Sequence, residues 1–468
     1  MQILIIGGSD AGISAALRTK EVDPQSRVTV LLRDDYPNFS ICGLPFFIGG
    51  EVAAWPDLAH RTKDMLDASG IRFLSRHTAM SINTARHMVL ATSESGANVE
   101  LPYDRLIMAT GAEPVRPPIE GRDLPGVFFL RFMDQGLAIA DDLETRRPQT
   151  ALIIGGGYIG MEMAEALSRR GLAVTLAEMG KAVMPTLDAD MAGLLEETLK
   201  KNGVRVATGF TATRIEKTGD RLRVTGKTKN GENGESFDGI GMVIIAAGAR
   251  PAVEPARQAG IAVGDSGAIR VNRKMETSAP DIFAAGDCAE TFHRLTNTNT
   301  YMPLGTTAHK QGRVAGENAA GGSAEFAGVL GTQSLKVFDR VAARTGLTHA
   351  EAEAAGFSPF SARVRTPDHK AYYPGSTPLD IRLTGDRLTQ KLLGAQIIGH
   401  HVAEISKRID ILASALYSGL GVGEMLDLDL SYTPPLSAPW DPVQAAAMEW
   451  LATMNSESGQ SSSKMPGK

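Results

Sequence analysis

The chain has 468 residues, 43% of them hydrophobic and 22% charged, and a formal net charge of -5. That composition belongs to a globular protein of roughly two to four domains with large cores. No basic block stands out, which argues against nucleic acid or an anionic membrane surface as a partner. The opening Met1-Gln2-Ile3-Leu4-Ile5-Ile6-Gly7 has no basic leader, and its apolar run is far too short for a signal peptide or a membrane span. A cytoplasmic location is expected. The two cysteines, Cys42 and Cys288, cannot form a disulfide framework, and no metal site is expected.

In chain order, an apolar strand over residues 3–6 runs into Gly7-Gly8-Ser9-Asp10-Ala11-Gly12 and then a helix-like stretch. A second strand over 28–32 is followed by Arg33-Asp34-Asp35. The same opening recurs at 151–154, where the strand enters Gly155-Gly156-Gly157-Tyr158-Ile159-Gly160 and another helix-like stretch. Glycine lets the backbone turn tightly and approach a pyrophosphate, and the helix N-terminus offers free N–H groups and a favourable dipole. Two such turns point to two dinucleotide folds in one chain. The strand at 174–177 ends in Glu178, about 20 residues past the glycines, where a carboxylate accepts from a ribose 2′-OH and repels a 2′-phosphate. NADH is favoured over NADPH, with Lys181 nearby keeping NADPH open. In the first unit Leu32 takes that position; Asp34 or Asp35 substitutes for the acid, or the adenosine is held differently. From about 329 to 450, strand-like pieces at 335–338, 362–365 and 392–398 alternate with helical ones at 349–355 and 402–417, a mixed α+β pattern. The stretch 454–468, rich in Ser, Gly and Lys, is expected to be disordered.

Ala109-Thr110-Gly111-Ala112, Ala246-Ala247-Gly248-Ala249, Ala284-Ala285-Gly286-Asp287 and Pro303-Leu304-Gly305-Thr306-Thr307-Ala308 complete a pattern. It resembles the pyridine nucleotide-disulfide oxidoreductase family from Met1 to about Trp450. The resemblance implies an α/β fold with two Rossmann-like dinucleotide-binding domains, for FAD and NAD, and a C-terminal α+β dimerisation domain. It divides the chain into an FAD domain at 1–115 and 250–322, an NAD(P)H domain at 116–249 and a dimerisation domain at 329–450. By resemblance, Gly7, Gly8, Ser9, Gly12, Arg33, Asp34, Ala109, Thr110, Gly111, Gly248, Gly286, Thr306 and Ala308 contact cofactor, and Asp287 holds the ribityl chain. Gly155, Gly157, Ile159, Gly160 and Glu178 take NADH or NADPH.

Asn38-Phe39-Ser40-Ile41-Cys42-Gly43-Leu44-Pro45-Phe46-Phe47 narrows the resemblance. Two-cysteine members carry C-x-x-x-x-C, whereas Phe47 stands five residues after Cys42. The pattern is similar to the single-cysteine branch of coenzyme A-disulfide reductases, NADH oxidases, NADH peroxidases and persulfide reductases. One thiolate there attacks a disulfide, persulfide or peroxide and is regenerated by reduced flavin. Cys288, inside the FAD motif, is read as structural. His369-Lys370-Ala371-Tyr372-Tyr373-Pro374-Gly375 and Leu430-Ser431-Tyr432-Thr433-Pro434-Pro435 resemble segments of the coenzyme A-disulfide reductases. The resemblance implies a homodimer with shared active sites, in which Tyr432, with Tyr372 or Tyr373, reaches the partner's cysteine. Position 10, usually His in the oxidase and peroxidase branch, is Asp10. Asp10, Arg18, Lys20 and Ser40 are the substrate-side candidates, the two cations facing phosphates of coenzyme A. The expected activity is FAD-dependent NAD(P)H reduction of a small disulfide, persulfide or polysulfide. The alternatives are reduction of O₂ or H₂O₂ and a non-catalytic redox sensor.

Overall fold

The computed structural model describes residues 1–228 and 233–462. They fall into two compact units, one from 1–117, 129–147 and 247–329, the other from 118–128, 148–246 and the chain from 330 onward.

The first unit is built on a five-stranded sheet in the order Ile282–Ala284, Arg105–Met108, Gln2–Ile6, Arg27–Leu31, Ile71–Leu74, with every neighbour parallel. The central strand reads Gln-Ile-Leu-Ile-Ile and buries all but its first residue, as a parallel strand covered on both faces must. Helix Asp10–Val22 buries a face of small residues, Ala11, Gly12, Ala15 and Ala16 among them. Helix Gly305–Ala319 lies on that face with its backbone almost touching. A Cβ on Gly312 would stand 2.2 Å from Ala11 O, and one on Gly316 2.2 Å from Ala15 O.

The second unit repeats the parallel pattern with Arg205–Thr208, Ala173–Glu178, Thr150–Ile154 and Met242–Ile245 side by side in that order. Its C-terminal part is an antiparallel sheet in the order Gln333–Val337, Arg340–Gly346, Leu392–His400, Pro378–Asp386, Pro359–Pro367. Among the described residues, polar ties join the antiparallel sheet to the helix and loop that flank the parallel one. Glu165 accepts from Lys336 Nζ at 2.6 Å and from Phe338 N at 2.7 Å. Arg344 Nη1 donates to Thr186 O at 2.6 Å. Asp188 Oδ2 accepts from Arg382 Nε at 3.1 Å and Gln396 Nε2 at 2.5 Å. Buried charges held this way make the two sheets one compact body.

The helix expected over 402–417 begins later. A 3₁₀ turn at His401–Ala403 and Glu404 at φ +53° precede helix Ile405–Ser418. The stretch from 454, expected to lack order, is helical through Ser462 as the end of helix Pro442–Ser462. That helix is anchored by Trp450, fully buried, whose indole N–H donates to Phe360 O at 2.8 Å. The rest of that expectation, 463–468, lies outside the described residues.

Candidate functional site

The two glycine turns are sterically equivalent. Gly7 has φ +118° and Gly155 φ +115°, a region that disfavours any side chain. A Cβ on Gly12 would stand 1.9 Å from Gly7 O, and one on Gly160 1.9 Å from Gly155 O. The middle positions, Ser9 and Gly157, are both N-caps at negative φ, -97° and -80°, so serine replaces glycine there without strain. Each turn is a cradle of backbone N–H groups that a side chain would fill, and it fits a dinucleotide pyrophosphate. Ile159 lies in the first turn of helix Tyr158–Arg169.

Strand register matches the second strand of one unit to that of the other. Ile6 pairs with Leu31 and Ile154 with Ala177, so Leu32 and Glu178 hold the same station. Leu32 is buried, its Cδ1 3.1 Å from where a Gly8 Cβ would be. Glu178 accepts from Gly156 N and Gly180 N, both at 2.6 Å, while Lys181 is exposed. Beside Leu32, the Arg33 guanidinium lies 3.8 Å over the Phe132 ring. Asp34 accepts from Tyr36 N at 3.0 Å, and burial holds its carboxyl above the usual range. Asp35 is paired with Arg76. Further into helix Tyr158–Arg169, burial and the nearby Glu165 push the Glu162 carboxyl up to about 7.

Asp287 follows strand Ile282–Ala284 and forms an ion pair with Arg131, both side chains 16% exposed. The Tyr301 hydroxyl is buried with no hydrogen-bond partner among the described residues; burial and Asp287 raise it above its ordinary range. This charged pair and orphaned hydroxyl are polar groups of the kind that suit a ribityl and phosphate portion. Around it, Gly286 at φ +80° donates to Gln311 Oε1 at 2.9 Å. Thr110 Oγ1 donates to Ala252 O at 2.7 Å, Ala252 N to Gly111 O at 2.9 Å, and Val115 N to Gly248 O at 2.9 Å. Ala109 N donates to Ile6 O at 2.8 Å, and its carbonyl forms the wall against Gly7. Thr306 and Ala308 lie in the first turn of helix Gly305–Ala319, Thr306 exposed and Ala308 buried. Cys288 is fully buried, and its thiol donates to Met108 O at 3.3 Å; burial pushes that thiol up.

Cys42 is exposed on the 3₁₀ turn Ile41–Gly43. The loop before it is tied to the first glycine turn by Asn38 N donating to Gly8 O at 2.8 Å. It also pairs with the next segment, Ser40 N to Leu58 O at 2.8 Å and His60 N to Asn38 O at 3.0 Å. Asn38 is fully buried at φ +59°, a conformation asparagine tolerates. Asp10, the first residue of its helix, stands with Oδ1 3.5 Å from His309 Nε2. His309 Nδ1 is 2.7 Å from Ser14 Oγ. Burial raises the Asp10 carboxyl, against the pull of His309 and His60. Arg18 and Lys20 are engaged elsewhere. Arg18 holds Glu317 at 2.7 Å and Glu21 at 2.8 Å, and Lys20 Nζ donates to Pro24 O at 2.6 Å and Ser26 O at 3.0 Å.

Tyr372, Tyr373 and Tyr432 belong to the second unit and are 73%, 41% and 43% exposed. Lys370 N donates to Pro434 O at 3.3 Å, which joins the two segments. Loss of water and the adjacent Tyr372 raise the Tyr432 phenol. The His369 ring stands edge-on to Tyr373, centroids 5.8 Å apart. Residues that the sequence left unmarked are Arg131, Tyr301, His60 and His309. Each is brought to the site by tertiary packing, and none stands inside a recognisable spacing.

Residues 1–312 match the pyridine nucleotide-disulphide oxidoreductase family, and residues 332–442 match its dimerisation domain. The chain belongs to this family. It is 33% identical over 462 residues to an NADH oxidase of Methanocaldococcus jannaschii, covering 98% of this chain and all of that protein. It is 35% identical over 445 residues to an NAD(P)H coenzyme A polysulfide/persulfide reductase of Pyrococcus horikoshii, covering 94% and 96%. A solved NAD-dependent persulfide reductase from A. fulgidus superposes with a TM-score of 0.92 at 36% identity, covering 98% of this chain and 84% of that one. The chain is therefore a flavin-dependent NAD(P)H oxidoreductase. No helix among the described residues is long and apolar enough to cross a membrane.

Proposed function

We propose that this flavoprotein uses NAD(P)H, with NADH preferred, to reduce a small disulfide, persulfide or polysulfide through Cys42. The observation that carries the reading is an exposed thiol on a loop hydrogen-bonded to the glycine turn of the first dinucleotide fold. FAD, when bound, supplies the two-electron chemistry that links the nicotinamide to the sulfur centre. Gly7, Ser9, Gly12, Arg33, Asp34, Arg131 and Asp287 would hold it, and the turn from Gly155 to Gly160 with Glu178 would hold the nicotinamide dinucleotide. Cys42 as thiolate attacks the substrate sulfur, and its exposure admits a small solute. Tyr372 and Tyr432, paired on one surface, orient the departing sulfur in the partner subunit's site of a homodimer. With Arg18 held by Glu317 and Glu21 and Lys20 by the carbonyls of Pro24 and Ser26, Ser40 and Asp10 remain the substrate-facing candidates on the Cys42 side. Coenzyme A, the ligand in the name of the Pyrococcus horikoshii relative, would have to find cations other than these two.

Replacing the thiol tests the reading. Cys42→Ser is expected to keep bound flavin and its reduction by NADH while losing turnover of disulfide and persulfide; full retained turnover overturns the role of Cys42. A second reading, reduction of O₂ or H₂O₂, is favoured by the likeness to an NADH oxidase. Rapid NADH-driven oxygen consumption in the absence of any sulfur substrate would select it.

A further inference from the structure

We propose that His309 is the acid that protonates the leaving sulfur when Cys42 attacks its substrate. The inference rests on the reading of Cys42 as the nucleophile and adds a proton source within the same subunit. The imidazole is held from both sides. Nδ1 lies 2.7 Å from Ser14 Oγ, so an N–H there donates to the hydroxyl and leaves Nε2 to carry the transferable proton. Nε2 lies 3.5 Å from Asp10 Oδ1. That oxygen is buried and makes no hydrogen bond among the described residues. At this distance Asp10 flanks Nε2 without engaging it in a short hydrogen bond. His309 keeps 44% of its side chain exposed, so its edge is open to a solute.

The ring is linked to the redox loop through His60. The His60 and His309 ring centroids are 6.3 Å apart. His60 is bonded through its backbone to Asn38, and Leu58 to Ser40, so it sits on the segment paired with the loop that presents Cys42. The titratable and charged groups that face Asp10 include His309, His60, Asp287 and Arg131.

The step is a thiol–disulfide exchange. The Cys42 thiolate forms a bond to one substrate sulfur, the substrate S–S bond breaks, and its electron pair leaves on the second sulfur. That thiolate takes the Nε2 proton and departs as a thiol. His309 is left neutral and regains a proton from solvent. No external oxidant or reductant enters this step.

Leaving-group dependence tests it. Reduced holoenzyme is mixed at neutral pH with one of two probes, oxidised β-mercaptoethanol, whose alkyl thiolate is a poor leaving group, or dithiodipyridine, whose leaving group departs unaided. Labelling of Cys42 is followed by mass spectrometry, with flavin content and melting temperature as folding controls. His309→Gln is expected to slow the alkyl probe on the order of a hundredfold and to leave the aromatic probe nearly unchanged. Asp10→Asn should slow the alkyl probe by a smaller factor. Equal slowing of both probes by His309→Gln, or slowing of neither, overturns the proposal. If wild-type Cys42 takes neither probe, the reading of Cys42 as nucleophile fails, and this proposal fails with it.

Discussion

At Glu178 both carboxylate oxygens already accept backbone N–H groups, from Gly156 and Gly180. A carboxylate has about four acceptor sites, so it is fixed in place with capacity left for a ribose. Glu178→Ala removes that acceptor and its charge. The KM for NADH should rise roughly tenfold to a hundredfold, while that for NADPH changes little; steady-state kinetics with both nucleotides decides, and equal losses would assign Glu178 a purely structural task. Glu162 gives a pH signature. Its folded carboxyl is pushed from 4.5 up to about 7, so the folded chain binds this proton more tightly than the unfolded chain does. The favourable contribution is complete below the unfolded value and is lost as pH rises through the folded one. Glu162→Gln should therefore be more stable than wild type by roughly 1–3 kcal/mol above about pH 8, and the gain should vanish near pH 4. Melting curves across that range check both the sign and the window. Residues with a local steric or spacing signature, such as Gly7, Gly12 and Glu178, were legible in the sequence. His309 and Arg131 were not, because their meaning is set by Asp10 and Asp287, 299 and 156 positions away.

Among the elements, the helix pair of the first unit has the least room. Gly312 and Gly316 face the carbonyls of Ala11 and Ala15, with 2.2 Å left for a Cβ in each case. Gly312→Ala or Gly316→Ala must push the helices apart, at a cost of about 1–3 kcal/mol each. Because helix Gly305–Ala319 also carries Thr306 and Ala308, loss of flavin should accompany the lower melting temperature; tight flavin retention in both variants would contradict that coupling. Little in hydrophobic periodicity marks this contact, since the two faces are made mainly of Gly, Ala and polar residues such as Thr19, Gln311 and Asn318. The parallel strands were readable because buried strands are continuous apolar runs. The start of helix Ile405–Ser418 was missed because residues 401–404 are compatible with helix by composition. What stops the helix there is the local backbone, Glu404 in the left-handed region.

For the whole molecule, the second unit presents an apolar surface near its C-terminal end, including Tyr372, Tyr432, Leu436 and Trp440, each at least 43% exposed. Large exposed aromatics in the part of the chain that matches a dimerisation domain favour a symmetric interface. If subunits share sites, Cys42→Ser and Tyr432→Phe chains, each impaired alone, should complement when co-refolded, recovering about a quarter of wild-type turnover. Absence of recovery in verified mixed dimers would place both groups' contributions within a single chain. The two-unit division itself, with the Glu165, Arg344 and Asp188 ties uniting two sheets, was not legible. Motif spacing marks where a domain begins and is silent about which buried ions join it to the next. The glycine contact between helices Asp10–Val22 and Gly305–Ala319 also sets a timetable. Ser14 and His309, which meet across it, are 295 positions apart. During synthesis the small-residue face of the first helix stays uncovered until the second emerges, a delay on the order of tens of seconds at ordinary elongation rates. The flavin half of this enzyme is therefore begun first yet closed only after nearly 300 further residues have been made, and the growing chain must be kept from aggregating through that interval.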